Sequence, residues 1–263
     1  MVRPAQGRPG GTLTVPRIDV AVLPDAMGDG PYPTAIVVDV LRATTTIASM
    51  LDAGAEAVIP VGDVSEARAI KEAFPEVMLA GERGGIAPAG FDLGNSPLPE
   101  RVAPTRGKAV VMTTTNGTRA VTHAATRAGG VISMSFTNIR AVEAHLNRAD
   151  ADAVIVCAGT DGARSREDEF AAGILVFDLQ RTGGWDLSER ALAAMDASTD
   201  LLMDAQGIDN AVRSSPHAKR LAAIGFAEDV ACCSEVDTTA MVPRLRDADD
   251  AAVARGMARF VAS

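Results

Sequence analysis

The sequence predicts an α/β fold, layered α/β/α around a largely parallel sheet, and three observations predict it. The run Ile36-Val37-Val38 continues past Asp39 into Val40 and Leu41, the pattern of a strand buried on both faces. Comparable runs begin at Val58, Lys108, Val131 and Ala153 with helical stretches between them, the alternation that builds a parallel sheet. The unit also repeats. At a shift of about 73 residues Thr45 falls on Thr118 and the strand starting at Val58 falls on the one starting at Val131, a degenerate internal duplication of a strand-loop-helix unit.

The first strand runs into Arg42-Ala43-Thr44-Thr45-Thr46 and then, at helical spacing, into Ile47, Ala48, Ser49, Met50 and Leu51, so the polar residues sit at a strand-to-helix turn. In open α/β sheets ligands collect outside the carboxyl ends of the strands, where a helix N-terminus offers free N–H groups to a phosphate or carboxylate. Arg42 adds a bidentate grip; alternatively, Asp39 and the threonines only cap the helix. A candidate strand at 76–80 is followed by Gly81-Glu82-Arg83-Gly84-Gly85-Ile86 and Gly90-Phe91-Asp92-Leu93-Gly94-Asn95-Ser96-Pro97. Glycine at that density reads as a loop. Here it alternates with Glu82, Arg83, Asp92, Asn95 and Ser96, which coordinate metals or hydrogen-bond anions, so a binding loop is expected. The strand at 108–112 leads into Thr113-Thr114-Thr115-Asn116-Gly117-Thr118-Arg119 and a helix ending near Gly129. The strand at 153–157 leads into a Gly-rich loop ending in Arg164 and Ser165, then a helix opening with Glu167, Asp168 and Glu169. Acids suit a first helical turn, and side chains diverging by about 100° per residue put at most two of the three on one site. Residues 184–224 read as amphipathic helices, with Leu192, Met195, Thr199, Leu202 and Met203 along one apolar face, and are assigned to packing.

With 263 residues, 47% of them hydrophobic, the chain can bury a full core. Residues 1–14 read as a loose tail and 15–263 as one domain or two closely packed lobes. No apolar run approaches the roughly 20 residues of a membrane helix, so a soluble, cytoplasmic protein is expected. A net charge of −9, with only nine aromatic residues, disfavours nucleic acid as a partner. A polyanionic substrate would instead need local cations, and Arg42, Arg83, Arg119 and Arg164 each lie in a motif loop. Three cysteines give no disulfide framework, and Cys232-Cys233 lack metal-ligand spacing. Cys157 stands seven positions before Arg164, one residue too long for a cysteine-phosphatase loop, and is read as a small buried hydrophobe. His123, His145 and His217 show no paired spacing and are expected on helix surfaces. The absence of a Gly-x4-Gly-Lys-Ser/Thr loop argues against an NTPase. The acidic surface and short connections allow a homodimer.

Taken in order, Val38-Asp39-Val40-Leu41-Arg42-Ala43-Thr44-Thr45, Gly81-Glu82-Arg83-Gly84-Gly85, Gly90-Phe91-Asp92-Leu93-Gly94-Asn95-Ser96-Pro97, Thr114-Thr115-Asn116-Gly117-Thr118-Arg119, and Glu167-Asp168 before Ala171-Ala172-Gly173 resemble the motifs of the ComB-like 2-phosphosulfolactate phosphatases. The segment from Asp229 to Cys233 and Val242-Pro243 resembles the end of that domain. The resemblance implies a magnesium-dependent hydrolase that removes phosphate from a small acid carrying sulfonate and carboxylate groups, a step towards coenzyme M. Mg2+ prefers oxygen ligands and takes one or two carboxylates plus the substrate phosphate. Asp39, Glu82 and Asp168, from three loops, are the expected ligands. Two routes follow. In one, Asp39 attacks phosphorus, but Leu41 stands where haloacid-dehalogenase-like enzymes carry a second Asp. In the other, the metal orients a water and Glu82 or Glu167 acts as base. Arg42, Arg119 and the N–H groups near Thr45 and Gly117 would stabilise the equatorial oxygens. Thr45, Gly84, Asn95, Ser96, Thr115, Asn116, Gly117 and Thr118 are expected around the substrate, with Arg83, Arg119 or Arg164 reading the sulfonate. The alternatives are a non-catalytic small-anion binder and a phosphatase acting on a different phosphorylated hydroxy acid.

Overall fold

A computed structural model describes residues 15–202, 207–246 and 258–262. The expected N-terminal tail, and Met203 of the expected apolar helix face, lie outside the described residues.

The α/β expectation holds. One ten-stranded sheet has the order β4-β5-β3-β10-β9-β6-β2-β7-β1-β8. Its strands are β1 (Arg17–Ala21), β2 (Thr34–Val38), β3 (Ala57–Pro60), β4 (Met78–Gly81), β5 (Ala109–Thr113), β6 (Val131–Met134), β7 (Ala153–Cys157), β8 (Asp186–Leu187), β9 (Arg244–Arg246) and β10 (Arg259–Val261). Two parallel sets, β4-β5-β3 and β6-β2-β7-β1-β8, are bridged by antiparallel pairings through β9 and β10. Three antiparallel steps in series leave the two sets running in opposite senses.

The helices are α1 (Ala43–Asp52), α2 (Val64–Ala73), α3 (Pro99–Val102), α4 (Gly117–Ala125), α5 (Ile139–Ala149), α6 (Arg166–Thr182), α7 (Glu189–Leu202), α8 (Gly207–Ser214), α9 (Pro216–Ala223) and α10 (Ala227–Cys233). Strand alternation sorts the core into layers. From β2, Ile36 and Val38 pack with residues of α5, α6 and α7, whereas Ala35 and Val37 pack with those of α1 and α4. Both faces of β2 are therefore apolar, which is why its sequence reads as an unbroken run. Among the described side chains of α7 the buried ones are Ala191, Met195 and Ser198; of the expected face Met195 is buried, Thr199 is half-buried, Leu192 is 39% exposed and the Leu202 side chain lies outside the description.

The duplication is visible as two crossovers, β2-α1-β3 and β5-α4-β6. Each carries the chain from one parallel set to the other, and the first turns of α1 and α4 meet. A Cβ built on Gly117 would lie 2.4 Å from Ala43 Cβ and 2.6 Å from Asp39 Oδ2, so only glycine permits this approach.

Candidate active site

The residues of the candidate site come from the C-terminal ends of β2, β4 and β5, with the loop after β7 and the helices α9 and α10 closing over them. The turn after β2 is fastened by Thr44, whose hydroxyl donates to the Asp39 carbonyl at 2.8 Å and accepts the Asp39 N–H at 3.1 Å. Asp39 is thereby aimed at the first turn of α1, where its Oδ1 accepts the Ala43 N–H at 3.4 Å. It does cap a helix, but its Oδ2 faces Gly117 of the other crossover. At the end of β4, Gly81 takes φ 141°, and a Cβ built on it would lie 2.0 Å from the Thr113 carbonyl oxygen, a contact no side chain allows. That approach delivers Glu82 to the second crossover. Its carboxylate accepts the Thr115 N–H and the Gly85 N–H, both at 2.7 Å.

These groups line a cavity of about 420 Å³ with Leu41, Arg42, Gly84, Asn95, Thr114, Asn116, Asp161, His217, Arg220, Leu221, Ala223 and Ile224. Two buried oxygens of lining residues, Asn95 Oδ1 and Thr115 Oγ1, have no hydrogen-bond partner among the described residues. Uncompensated buried oxygens next to carboxylates are costly unless a cation or water meets them.

The electrostatics agree. Burial pushes the Asp39 carboxyl up to about 7, and the charges of Glu82 and Glu167 add to the rise. Behind it, burial drives Asp168 well above the usual carboxylate range, with Asp39 and Glu167 contributing, and burial also raises Glu167. Four acids converge here and repel one another.

The expected site residues therefore divide. Asp39, Arg42, Glu82, Gly84, Asn95, Thr115 and Asn116 line the cavity, and Gly117 backs it. Asp168 is used structurally: its two oxygens accept the Val40 N–H at 2.9 Å and the Gly159 N–H at 3.1 Å, clamping β2 to the loop after β7. Glu167 is buried beside it and outside the lining. Asp39, Glu82 and Asp168 do not form a ready-made cage, since among the described residues no three His, Cys, Asp or Glu side chains are grouped to hold an ion. The buried hydroxyls of Thr45 and Thr118 are spent on the backbone carbonyls of Val40 and Thr114. Ser96 donates to Asp229 at 2.8 Å.

The arginines differ most from expectation. Arg164 is exposed and forked onto Glu169, which is therefore half-buried rather than free in solvent. Arg83 is turned onto the Glu82 carbonyl and the Thr113 hydroxyl. Arg119 lines a separate groove with His123 and Arg127, on the far side of Asn116. Arg42 does line the cavity, but NH1 donates to Asp229 at 2.6 Å, NH2 donates to the Gly85 carbonyl at 2.7 Å, and its plane stacks 4.4 Å from the Phe226 ring. It fastens α10 and the Gly84–Gly85 turn to the end of β2. Cys157 is fully buried, and burial pushes its thiol well above the ordinary range, which fits the reading as a buried hydrophobe.

Residues 184–224, expected only to pack, contribute to the site. His217, half-buried on α9, lines the cavity, and Arg220, Leu221, Ala223 and Ile224 complete the lining. The signal missed in the sequence was Ser215-Pro216, a capped helix start that fixes which face of α9 points inward.

Comparison with known proteins agrees with this arrangement. Residues 22–248 match the family described as 2-phosphosulpholactate phosphatase. A probable 2-phosphosulfolactate phosphatase of Deinococcus radiodurans is 40% identical over 242 residues, covering 90% of this chain and 98% of that protein. Proteins of the same description from Thermotoga petrophila and Thermus thermophilus are 42% and 41% identical, over 81% and 82% of this chain and 88% and 89% of theirs. With the family matched across its cavity-lining strand ends, the chain belongs to the 2-phosphosulpholactate phosphatase family.

Proposed function

We propose that this protein is a phosphoric monoester hydrolase that releases phosphate from 2-phosphosulfolactate, giving sulfolactate on a route of the coenzyme M type. The observation that carries the reading is the pairing, in one cavity, of the buried acid Asp39 with the amide-oriented carboxylate of Glu82.

The donors suit Mg2+: all are oxygen, one or two carboxylates are available, and two further buried oxygens are unpartnered. Asp39, with Asn95 Oδ1 and Thr115 Oγ1, would hold the ion. When bound it supplies charge neutralisation and polarisation of the phosphoryl group. Glu82, its two oxygens each fixed by one amide but retaining lone pairs, orients a water and accepts its proton. Glu167 is not among the lining residues, which favours Glu82 for that part. The N-terminus of α4, at Asn116 and Gly117, presents N–H groups and a favourable dipole to the phosphate oxygens. Leu221, Ala223 and Ile224 exclude water from one wall. No helix among the described residues is long and apolar enough to cross a membrane, and the three cysteines are free thiols, which suits the cytoplasm.

The test is phosphate release from 2-phosphosulfolactate in Mg2+ and in EDTA. Metal-dependent release is expected. Binding without release under both conditions would favour the anion-binder reading.

A further inference from the structure

We propose that Arg220 recognises the second anionic end of the substrate, a sulfonate or carboxylate carried beside the phosphate; this rests on the hydrolase reading above. A substrate with two or three anionic groups needs a cation besides whatever holds the phosphoryl end. Among the described residues only two arginines line the cavity. Both terminal nitrogens of Arg42 are committed within the protein. Arg220, on α9 at the opposite wall, uses NH2 alone, and its Nε and NH1 bond no described residue.

Among the described residues the acid it bonds directly is Asp161, at 3.3 Å, with both side chains more than half exposed, while its charge also acts on Glu167. An exposed pair of that kind contributes little and is readily exchanged for a ligand. What fixes Arg220 is His217. The His217 ring takes Arg220 NH2 at 3.1 Å on Nδ1 and lies 3.0 Å from the Leu41 carbonyl on Nε2. A carbonyl only accepts, so Nε2 carries the proton and Nδ1 is left as the acceptor for the guanidinium. A chain of two hydrogen bonds thus ties Arg220 to the end of β2, two residues from Asp39, and leaves Nε and NH1 as donors; an oxyanion that displaces the exposed Asp161 from NH2 completes a planar fork. His217 is the positioning residue in this arrangement.

Calorimetric titration with sulfolactate, which needs no turnover, tests the assignment on the full chain. Arg220→Gln should weaken sulfolactate binding by about 10–100-fold and Arg220→Lys by less, because Lys keeps the charge and loses the fork. His217→Leu should weaken it by roughly 3–10-fold. With turnover, the ratio of kcat/KM for 2-phosphosulfolactate to that for propyl phosphate, which has no second anion, should fall in Arg220→Gln by the same factor, and the change should lie in KM. Unchanged sulfolactate binding in Arg220→Gln, an equal loss on both substrates, or wild-type protein that does not bind sulfolactate would overturn the assignment. Wild-type protein that binds sulfolactate through Arg220 yet releases no phosphate would leave it standing and remove the hydrolase reading.

Discussion

The two crossovers, β2-α1 and β5-α4, use one local design for two chemical tasks. In the first, the Thr44 hydroxyl bridges the N–H and carbonyl of Asp39. In the second, the Thr118 hydroxyl bridges the N–H and carbonyl of Thr114 in the same way, at 3.3 and 3.0 Å. The structural counterpart of Thr118 is thus Thr44, one residue before the Thr45 suggested by sequence alignment. The difference lies in what each turn presents: the first a buried carboxylate, the second only hydroxyls and N–H groups. The two helix N-termini thus share a backbone design and differ in the side chain that precedes them, Asp39 in one and Thr114 in the other.

That contrast can be broken at its chemical end. Asp39→Asn should lower turnover by about 10³-fold or more, read as phosphate release at saturating Mg2+, whereas Thr114→Ser, at the equivalent position, should stay within about tenfold. Comparable losses at both would contradict the division of labour. Gly117→Ala attacks the contact between the crossovers. The new methyl meets Ala43 and Asp39 below 3.0 Å, so about 1–3 kcal/mol of stability and roughly 100-fold in turnover should be lost, checked by urea denaturation beside the rate assay.

The shared design is sharpened by Thr44→Val and Thr118→Val. Each leaves a buried backbone N–H without its partner and should cost a similar 1–3 kcal/mol, a magnitude set by roughly the price of an unmet buried donor. Turnover should fall further in Thr44→Val, because that bridge holds the backbone of Asp39. Arg164→Ala should be nearly silent, within about 0.5 kcal/mol in stability and about twofold in KM, since its exposed pair with Glu169 lies outside the cavity. A large KM increase there would restore the expectation drawn from the sequence.

The strand ends were legible because burial on both faces writes itself as uninterrupted apolar runs, and strands expected at 108–112 and 153–157 appear at Ala109–Thr113 and Ala153–Cys157. That Asp39 and Glu82 would reach the cavity was legible because each follows directly on a strand end, and Asn95 and Asn116 because they stand in Gly- or Thr-rich loops beyond such ends. The arginines were not. A long side chain can turn towards the ligand or back onto its own loop, and local spacing does not say which; Arg83 and Arg164 turn back. Asp168 shows the same ambiguity, since an acid opening a helix can face a ligand or hold neighbouring amides, and the oxygens of this one accept the N–H groups of Val40 and Gly159. His217 and Arg220 were missed because they reach the cavity only through tertiary packing of α9 against the end of β2, far away in sequence.

Asp39 is a buried acid that a cation would neutralise under the function proposed above. Its folded-state value of about 7 lies above the ordinary 3.8, so between these values the folded protein holds more protons than the unfolded chain, and stability without metal should fall as pH rises through that window. The most direct measurement is thermal denaturation of the wild type and Asp39→Asn from pH 4 to 8, with and without Mg2+. The account predicts that metal-free wild-type protein loses stability on the order of a few kcal/mol across this range, that Mg2+ restores it increasingly towards pH 8, and that Asp39→Asn shows a weaker pH dependence and little response to Mg2+. An equal response of both proteins to Mg2+, or a wild type whose stability rises from pH 4 to 7, would contradict it.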